Sequence, residues 1–248
     1  MYFEINLPKQ APQHIYDIAE RKRITDMLGI IHSRMERLEA ALLRSGMRGE
    51  QFAAGAKLLF DQTDTNGRSV IDHMTVDEIS DNVKLLAENI SVVSRLEWPN
   101  AIVLVDTAFL TKTEWETIRK TGIGGSDAAA LMGLSPYRTA QECYHDKIAT
   151  QYAINKPDKG QEFIFSYGHK LESLVIEEFC RRTGAVQIPE TRMFAKRDMP
   201  YVTANIDGIL KLPSDELVIF EAKTTTNFNR SAWEDGHVPV QYLPQCRQ

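Results

Sequence analysis

A chain of 248 residues, 43% hydrophobic and 25% charged, has the apolar content for one large domain or two modest ones and is neither disordered nor fibrous. Its net charge of −5 excludes a uniformly basic nucleic-acid binder, although basic groups lining a single groove need no positive sum. The three cysteines, Cys143, Cys180 and Cys246, lie far apart without C-x-x-C spacing, which excludes a zinc ribbon, a disulfide framework and a four-cysteine iron-sulfur cluster within one chain.

No apolar stretch approaches membrane-spanning length, and Met1-Tyr2-Phe3-Glu4 lacks a basic region followed by a hydrophobic run, so a soluble, cytoplasmic protein without membrane contact is expected. Ile24, Leu28, Ile31, Met35, Leu38 and Leu42 alternate spacings of four and three, the pattern of a helix seeking a helical partner. Val76, Ile79, Val83, Leu86, Ile90 and Val93 repeat it behind a Thr75-x-x-Glu78 capping box, and Asp64-Thr65-Asn66-Gly67 marks a turn between the two. Residues 12–96 therefore read as an antiparallel helical hairpin with a shorter helix or loop between its arms, ended by Pro99-Asn100. Such a hairpin dimerises, contacts a partner protein, or packs on the rest of the chain. Arg21, Lys22, Arg23, Arg34 and Arg37 read as a solvated helix face interleaved with Glu36 and Glu39, with phosphate contact as the alternative.

Beyond residue 105, Thr113-x-x-Glu116 predicts the cap of a short helix carrying Trp115 and Arg119, followed by Gly122-Ile123-Gly124-Gly125-Ser126-Asp127. A glycine turn opening a helix is either a phosphate cradle of free N–H groups or a plain N-cap made by Ser126 or Asp127. Ala128 to Leu131 favour that helix, which Gly133 ends. A second capped helix runs from Thr139 to about Thr150, a polar loop covers residues 155–160, and a long helix runs from Phe163 to Thr183. Its apolar stripe is Leu171, Leu174, Val175 and Phe179; Gly184 stops it, and Gly168 and Glu172 sit at the border of the stripe. Short strands follow at residues 185–188, 192–195, 201–204, 208–212 and 217–223, then a final helix from near Pro239.

Asp207 and the run Glu221-Ala222-Lys223 carry the chemistry. The turn Pro213-Ser214-Asp215 sets the strand of Asp207 beside that of Glu221. Strand alternation points Glu221 and Lys223 one way and Ala222 into the core, its carbonyl free for the same cation as the acids. Carboxylates and carbonyls are hard oxygen ligands suited to Mg²⁺, or Mn²⁺ in its place, and an ammonium beside them holds an attacking water or a charged phosphate. For an isolated E-x-K, ordinary polar residues on an edge strand are the competing reading.

Taken in order, Trp115-x-x-x-Arg119, Gly122 to Asp127, Gly168-x-x-x-Glu172, Thr203-Ala204-Asn205-Ile206-Asp207-Gly208, Glu221-Ala222-Lys223 and Tyr242-x-x-Gln245 give the chain a resemblance to a known family. From Phe109 to Gln248 it resembles the phage lambda exonuclease and YqaJ viral recombinase family of PD-(D/E)XK nucleases. The resemblance implies an α/β fold over residues 106–248, a restriction-endonuclease-like core with a mixed central sheet flanked by helices. Residues 1–105, an all-α helical hairpin, lie outside it. It implies that Asp207, Glu221 and the Ala222 carbonyl bind a first Mg²⁺, that Glu172 reaches a second, and that Lys223 positions or deprotonates the attacking water. Gln245 would support Lys223 or the metal site, and Arg119 and Ser126 would hold the terminal 5′-phosphate. The implied activity is 5′ to 3′ exonuclease action on double-stranded DNA ends, leaving a 3′ strand for a single-strand annealing protein in recombination. Members also close into homo-oligomeric rings. An endonuclease on the same core and a non-catalytic DNA-binding or assembly protein are the competing functions.

Family members continue past the Tyr242 and Gln245 match through further core elements, so the expectation is that the C-terminal part of the core is missing here or is supplied by a second polypeptide. His169 and His237 read as surface or packing residues near the site. Trp233 and Phe228 read as packing residues, with stacking on DNA bases as the alternative, and Arg181-Arg182 as a helix-end pair complementing the dipole.

Overall fold

The computed structural model describes residues 1–88, 96–148, 159–223 and 227–247, with the side chains of 159–165, 169 and 227–230 excepted. The chain divides into two compact units, Met1–Gly122 with Thr191–Tyr201, and Ile123–Glu190 with Val202–Gln248.

In the first unit α1 (Ile18–Ser45) begins where Asp17 accepts the Glu20 N–H at 2.7 Å and ends at Gly46, whose φ of 67° closes the last turn. All six residues of its expected apolar stripe are buried. It packs with α2 (Gly49–Phe60), the shorter helix between the arms, and α3 (Val76–Ala87), which opens on the Thr75–Glu78 capping box. A β-carbon at Gly55 would stand 2.9 Å from that of Ala87, so only glycine lets α2 and α3 approach this closely. The outer end of the second expected stripe, Ile90 and Val93, lies outside the described residues.

The solvated face expected for the α1 arginines is corrected at two positions. Arg34 is 1% exposed; its guanidinium donates to both oxygens of Asp72 at 2.6 Å, both oxygens of Glu114 at 3.0 Å and the Phe109 carbonyl at 2.8 Å. Arg37 donates to the carbonyls of Ile71 and Met74. A planar five-donor fork can satisfy two carboxylates at once, which is why arginine survives inside a helical core.

A strand missed in the sequence, β1 (Ala101–Asp106), pairs antiparallel with β3 (Arg192–Lys196), from Ala101 opposite Lys196 to Asp106 opposite Arg192. Helix α4 (Lys112–Arg119) is capped two residues before the position expected. The box is Thr111 with Glu114, whose carboxylate accepts the Thr111 N–H at 2.7 Å while also holding Arg34.

The second unit contains α5 (Gly125–Leu131), α6 (Ala140–Ile148), α7 (Lys159–Thr183) and α8 (Leu243–Arg247). Its sheet has the order β2 (Val186–Ile188), β5 (Gly208–Lys211), β6 (Leu217–Phe220), all antiparallel. Ile176 and Cys180 of α7 pack on Leu210, Val218 and Phe220, and the Phe179 and Phe220 rings lie 5.1 Å apart. Strand alternation turns Leu217 and Ile219 to the opposite face, where they stay 47% and 58% exposed.

Helix and sheet are thus mixed, as expected, but the strands are distributed over two three-stranded sheets. The other has the order β1-β3-β4, with β4 (Met199–Ala204) joined to β3 by a tight turn, and among the described residues an isolated Ile123–Val202 bridge is the parallel contact. No described helix is long and apolar enough to cross a membrane.

Candidate functional site

The β5–β6 hairpin builds the centre of the site. It turns through Asp215 at a φ of 67° and sets Gly208 opposite Phe220, so the residues just outside that pair, Asp207 and Glu221-Ala222-Lys223, are neighbours. Strand β6 ends at Phe220 rather than Lys223, because the backbone leaves the ladder to bond a side chain: the Ala222 N–H donates to Asp207 Oδ2 at 2.9 Å. That bond fixes Asp207 against the backbone of the other acid's segment. The Ala222 side chain is buried and, as expected, Glu221 and Lys223 share a side, with Lys223 Nζ donating to Glu221 Oε1.

Gln245, on α8, donates from Nε2 to the same Glu221 oxygen at 2.5 Å. Glu221 and Gln245 line a cavity of about 180 Å³ with Gly125, Asn205, Ile206 and Ile219. Burial pushes the Glu221 carboxyl above its ordinary range; the Lys223 ammonium opposes this, while the charges of Asp207 and Glu172 add to it. Glu172, half-buried on α7, therefore acts on the same carboxyl. Asp207, Glu221, Ala222, Lys223, Glu172 and Gln245 all belong to the second unit.

The glycine turn opens a helix, and its capping differs from that expected. Helix α5 is capped by Gly124, whose N–H donates to Asp127 Oδ2 at 2.9 Å, and Ser126 is an exposed residue of its first turn. Asp127, almost fully buried, is clamped between Arg138 and Lys147, the latter 2.6 Å away. Burial raises its pKa, but Lys147, the Gly124 N–H and Arg138 outweigh that and hold it below its ordinary value. Gly125 is the contact point with α8: a β-carbon there would stand 2.7 Å from the Gln245 side chain. Glycine at 125 is thus what admits Gln245 to Glu221.

Arg119, the other expected phosphate contact, belongs to the first unit, where its guanidinium lies 4.6 Å over the Trp115 ring one helical turn back. His237 is exposed; the side chains of His169 and Phe228 lie outside the described residues. Trp233 stacks at 5.4 Å on Tyr242, whose ring in turn lies 6.0 Å from Lys223 Nζ. Arg181 and Arg182 both bind Glu178.

The donor set is hard: carboxylates of Asp207, Glu221 and Glu172 and the Ala222 carbonyl, the chemistry that fits Mg²⁺ or Mn²⁺. Among the described residues no three acidic, histidine or cysteine side chains are gathered closely enough to hold one ion, and the Lys223 ammonium donates to Glu221 Oε1.

Residues 114–248 match the family model of the YqaJ-like viral recombinase domain. Over 147 residues, 59% of the chain, the sequence is 30% identical to the uncharacterized protein YqaJ of Bacillus subtilis (strain 168). That alignment covers 44% of the relative, so the chain spans less than half of its length. No solved structure matches the chain.

Proposed function

The chain belongs to the YqaJ-like viral recombinase domain family, and on that premise we propose that residues 106–248 form a metal-dependent deoxyribonuclease, a PD-(D/E)XK exonuclease that degrades double-stranded DNA from its 5′ ends in phage-type recombination. The observation that carries this reading is the convergence of Asp207, Glu221, Lys223 and Gln245 at one hairpin end, with Glu172 acting on the same carboxyl.

Asp207, Glu221 and the Ala222 carbonyl would hold one Mg²⁺ and Glu172 would reach a second; bound there, the ions supply positive charge to the scissile phosphate and acidity to a coordinated water. The protein groups do the rest. The Ala222 N–H keeps Asp207 in place, Gln245 orients the Glu221 carboxylate, and Lys223 holds the attacking water by hydrogen bond and takes part in its proton transfer. Arg119 and Ser126 are assigned to the 5′-phosphate, and the 3′ strand left behind is the substrate of a single-strand annealing protein.

A linear 5′-phosphorylated duplex should be digested in Mg²⁺ while a covalently closed circle survives. Equal cutting of both would make the enzyme an endonuclease, and digestion of neither would leave a DNA-binding or assembly role. Arg119→Ala should erase any preference for phosphorylated over hydroxyl ends; a parent that digests both alike removes the basis for that assignment.

The Gly125 contact gives a separate test. Gly125→Ala should lower the cleavage rate as far as Gln245→Ala does, and the double variant should be no slower than either, because both break one contact. Additive losses in the double variant would show that Gly125 acts elsewhere.

A further inference from the structure

Asp127 is 3% exposed, and a carboxylate buried to that extent needs partners in place of water. Its Oδ1 accepts from the Arg138 guanidinium, while Oδ2 pairs with the Lys147 ammonium at 2.6 Å and accepts the Gly124 N–H at 2.9 Å. These partners come from the turn before α5, the connection after it, and α6. Arg138 is tied to α6 as well, by Asp146 at 3.5 Å and by the sulfur of buried Cys143 at 3.6 Å. One carboxylate thus fixes the start of α5 against α6. That start touches the site directly. Gly125 follows the held Gly124, and a β-carbon on it would stand 2.7 Å from Cγ, 3.3 Å from Cδ and 3.5 Å from Cβ of Gln245. The first residue of α5 is therefore the surface against which the Gln245 side chain lies, and the amide at the end of that side chain donates to Glu221. Every residue on this path belongs to the second unit.

We propose that Asp127 is a positioning residue for cleavage: by clamping the start of α5 to α6 it sets the surface under Gln245, and so the direction from which Gln245 holds the Glu221 carboxylate. This rests on the reading of the site as a deoxyribonuclease. Asp127 acts only through Gln245, because none of its own partners is Asp207, Glu221 or Lys223. Two acids, Asp127 and Asp146, balance two cations in the clamp. A balanced set of this kind adds little stability over apolar packing of the same volume, and what it contributes is a fixed geometry. A loosened clamp therefore lowers the rate through the placement of Gln245, since small displacements of a positioned group cost large factors in turnover.

The test compares kcat on saturating linear duplex in Mg²⁺ for the 248-residue parent, Asp127→Asn, Gln245→Ala and the double variant, each at a temperature where its thermal melt shows it folded. Asp127→Asn keeps the shape and an acceptor for the Gly124 N–H and loses the charge that binds Arg138 and Lys147. It should lower kcat about tenfold in the parent and change it by no more than about twofold in Gln245→Ala. A second readout needs no cleavage: the side-chain amide signal of Gln245 in an isotope-labelled sample, identified by its loss in Gln245→Ala, should move in Asp127→Asn. Lys147→Gln, which removes one cation of the clamp, should produce both effects more weakly and carries the test if Asp127→Asn does not fold. The proposal is overturned by an unmoved Gln245 signal, by a kcat equal to the parent's, or by additive losses in the double variant, which would assign the effect to another route such as Ser126 in the same turn. A parent that cuts no DNA while the clamp variants move the Gln245 signal loses the nuclease and retains the positioning of Gln245 by Asp127. A parent that cuts DNA while those variants leave signal and kcat unchanged does the reverse.

Discussion

Lys223→Ala should slow cleavage of linear duplex DNA by roughly 100- to 10,000-fold, the range for removal of a positioned proton-transfer group, while affinity for the duplex stays close to that of the parent. The asymmetry follows from what Lys223 touches. Its Nζ bonds Glu221 and makes none of the contacts that fix Asp207, which depends on the Ala222 N–H instead. The oxygen donors therefore survive the substitution, and only the group proposed to position the attacking water is lost. Lys223→Arg separates charge from proton transfer, since a guanidinium keeps the cation but does not deprotonate. An arginine variant as slow as the alanine one points to proton transfer; a fast one points to charge alone. Undiminished digestion by Lys223→Ala would remove the lysine from the mechanism.

The second large effect falls on stability. Arg34→Ala should destabilise the first unit by about 3–5 kcal/mol, because Asp72 and Glu114 remain as largely buried carboxylates without their shared cation. In a thermal melt this corresponds to a loss of roughly 10 °C for a chain of this size. The Phe109 carbonyl and the Glu114 side chain that caps α4 lose a partner in the same step. Arg34→Lys should fall between parent and alanine, since an ammonium cannot serve two carboxylates as a planar fork does. Neutralising all three groups together, with Arg34→Met, Asp72→Asn and Glu114→Gln, should recover much of the loss. A melt of Arg34→Ala superimposable on the parent would show that the cluster contributes nothing to folding.

Periodicity made α1 legible, since a stripe of six apolar residues at helical spacing is buried as a stripe. Arg34 was misread because its partners lie 38 and 80 residues away and local charge pattern says nothing of them. Its position carried a signal nonetheless: it stands three residues after Ile31 and four before Leu38, on the apolar side of the helix. Strand β1 was missed because Ala101 to Asp106 is one short apolar run with no alternation to separate strand from helix.

At the site, the residue types and their order were legible: Asp207 and Glu221 are neighbours across the expected hairpin, and Gln245 reaches Glu221. What remained hidden was the reason for each small residue. Gly125 reads in sequence as a turn or a phosphate cradle, and nothing in that pattern shows that it also admits a side chain from 120 residues further on. A close approach between distant elements leaves no local pattern.

The most direct test of the metal-dependent nuclease is the release of acid-soluble nucleotide from a linear 5′-phosphorylated duplex as Mg²⁺ is titrated, for the parent and for Asp207→Asn. The account predicts release that rises with Mg²⁺, stops on chelation and is lost in Asp207→Asn. No release from the parent at any Mg²⁺ concentration, or equal release by the variant, would contradict it.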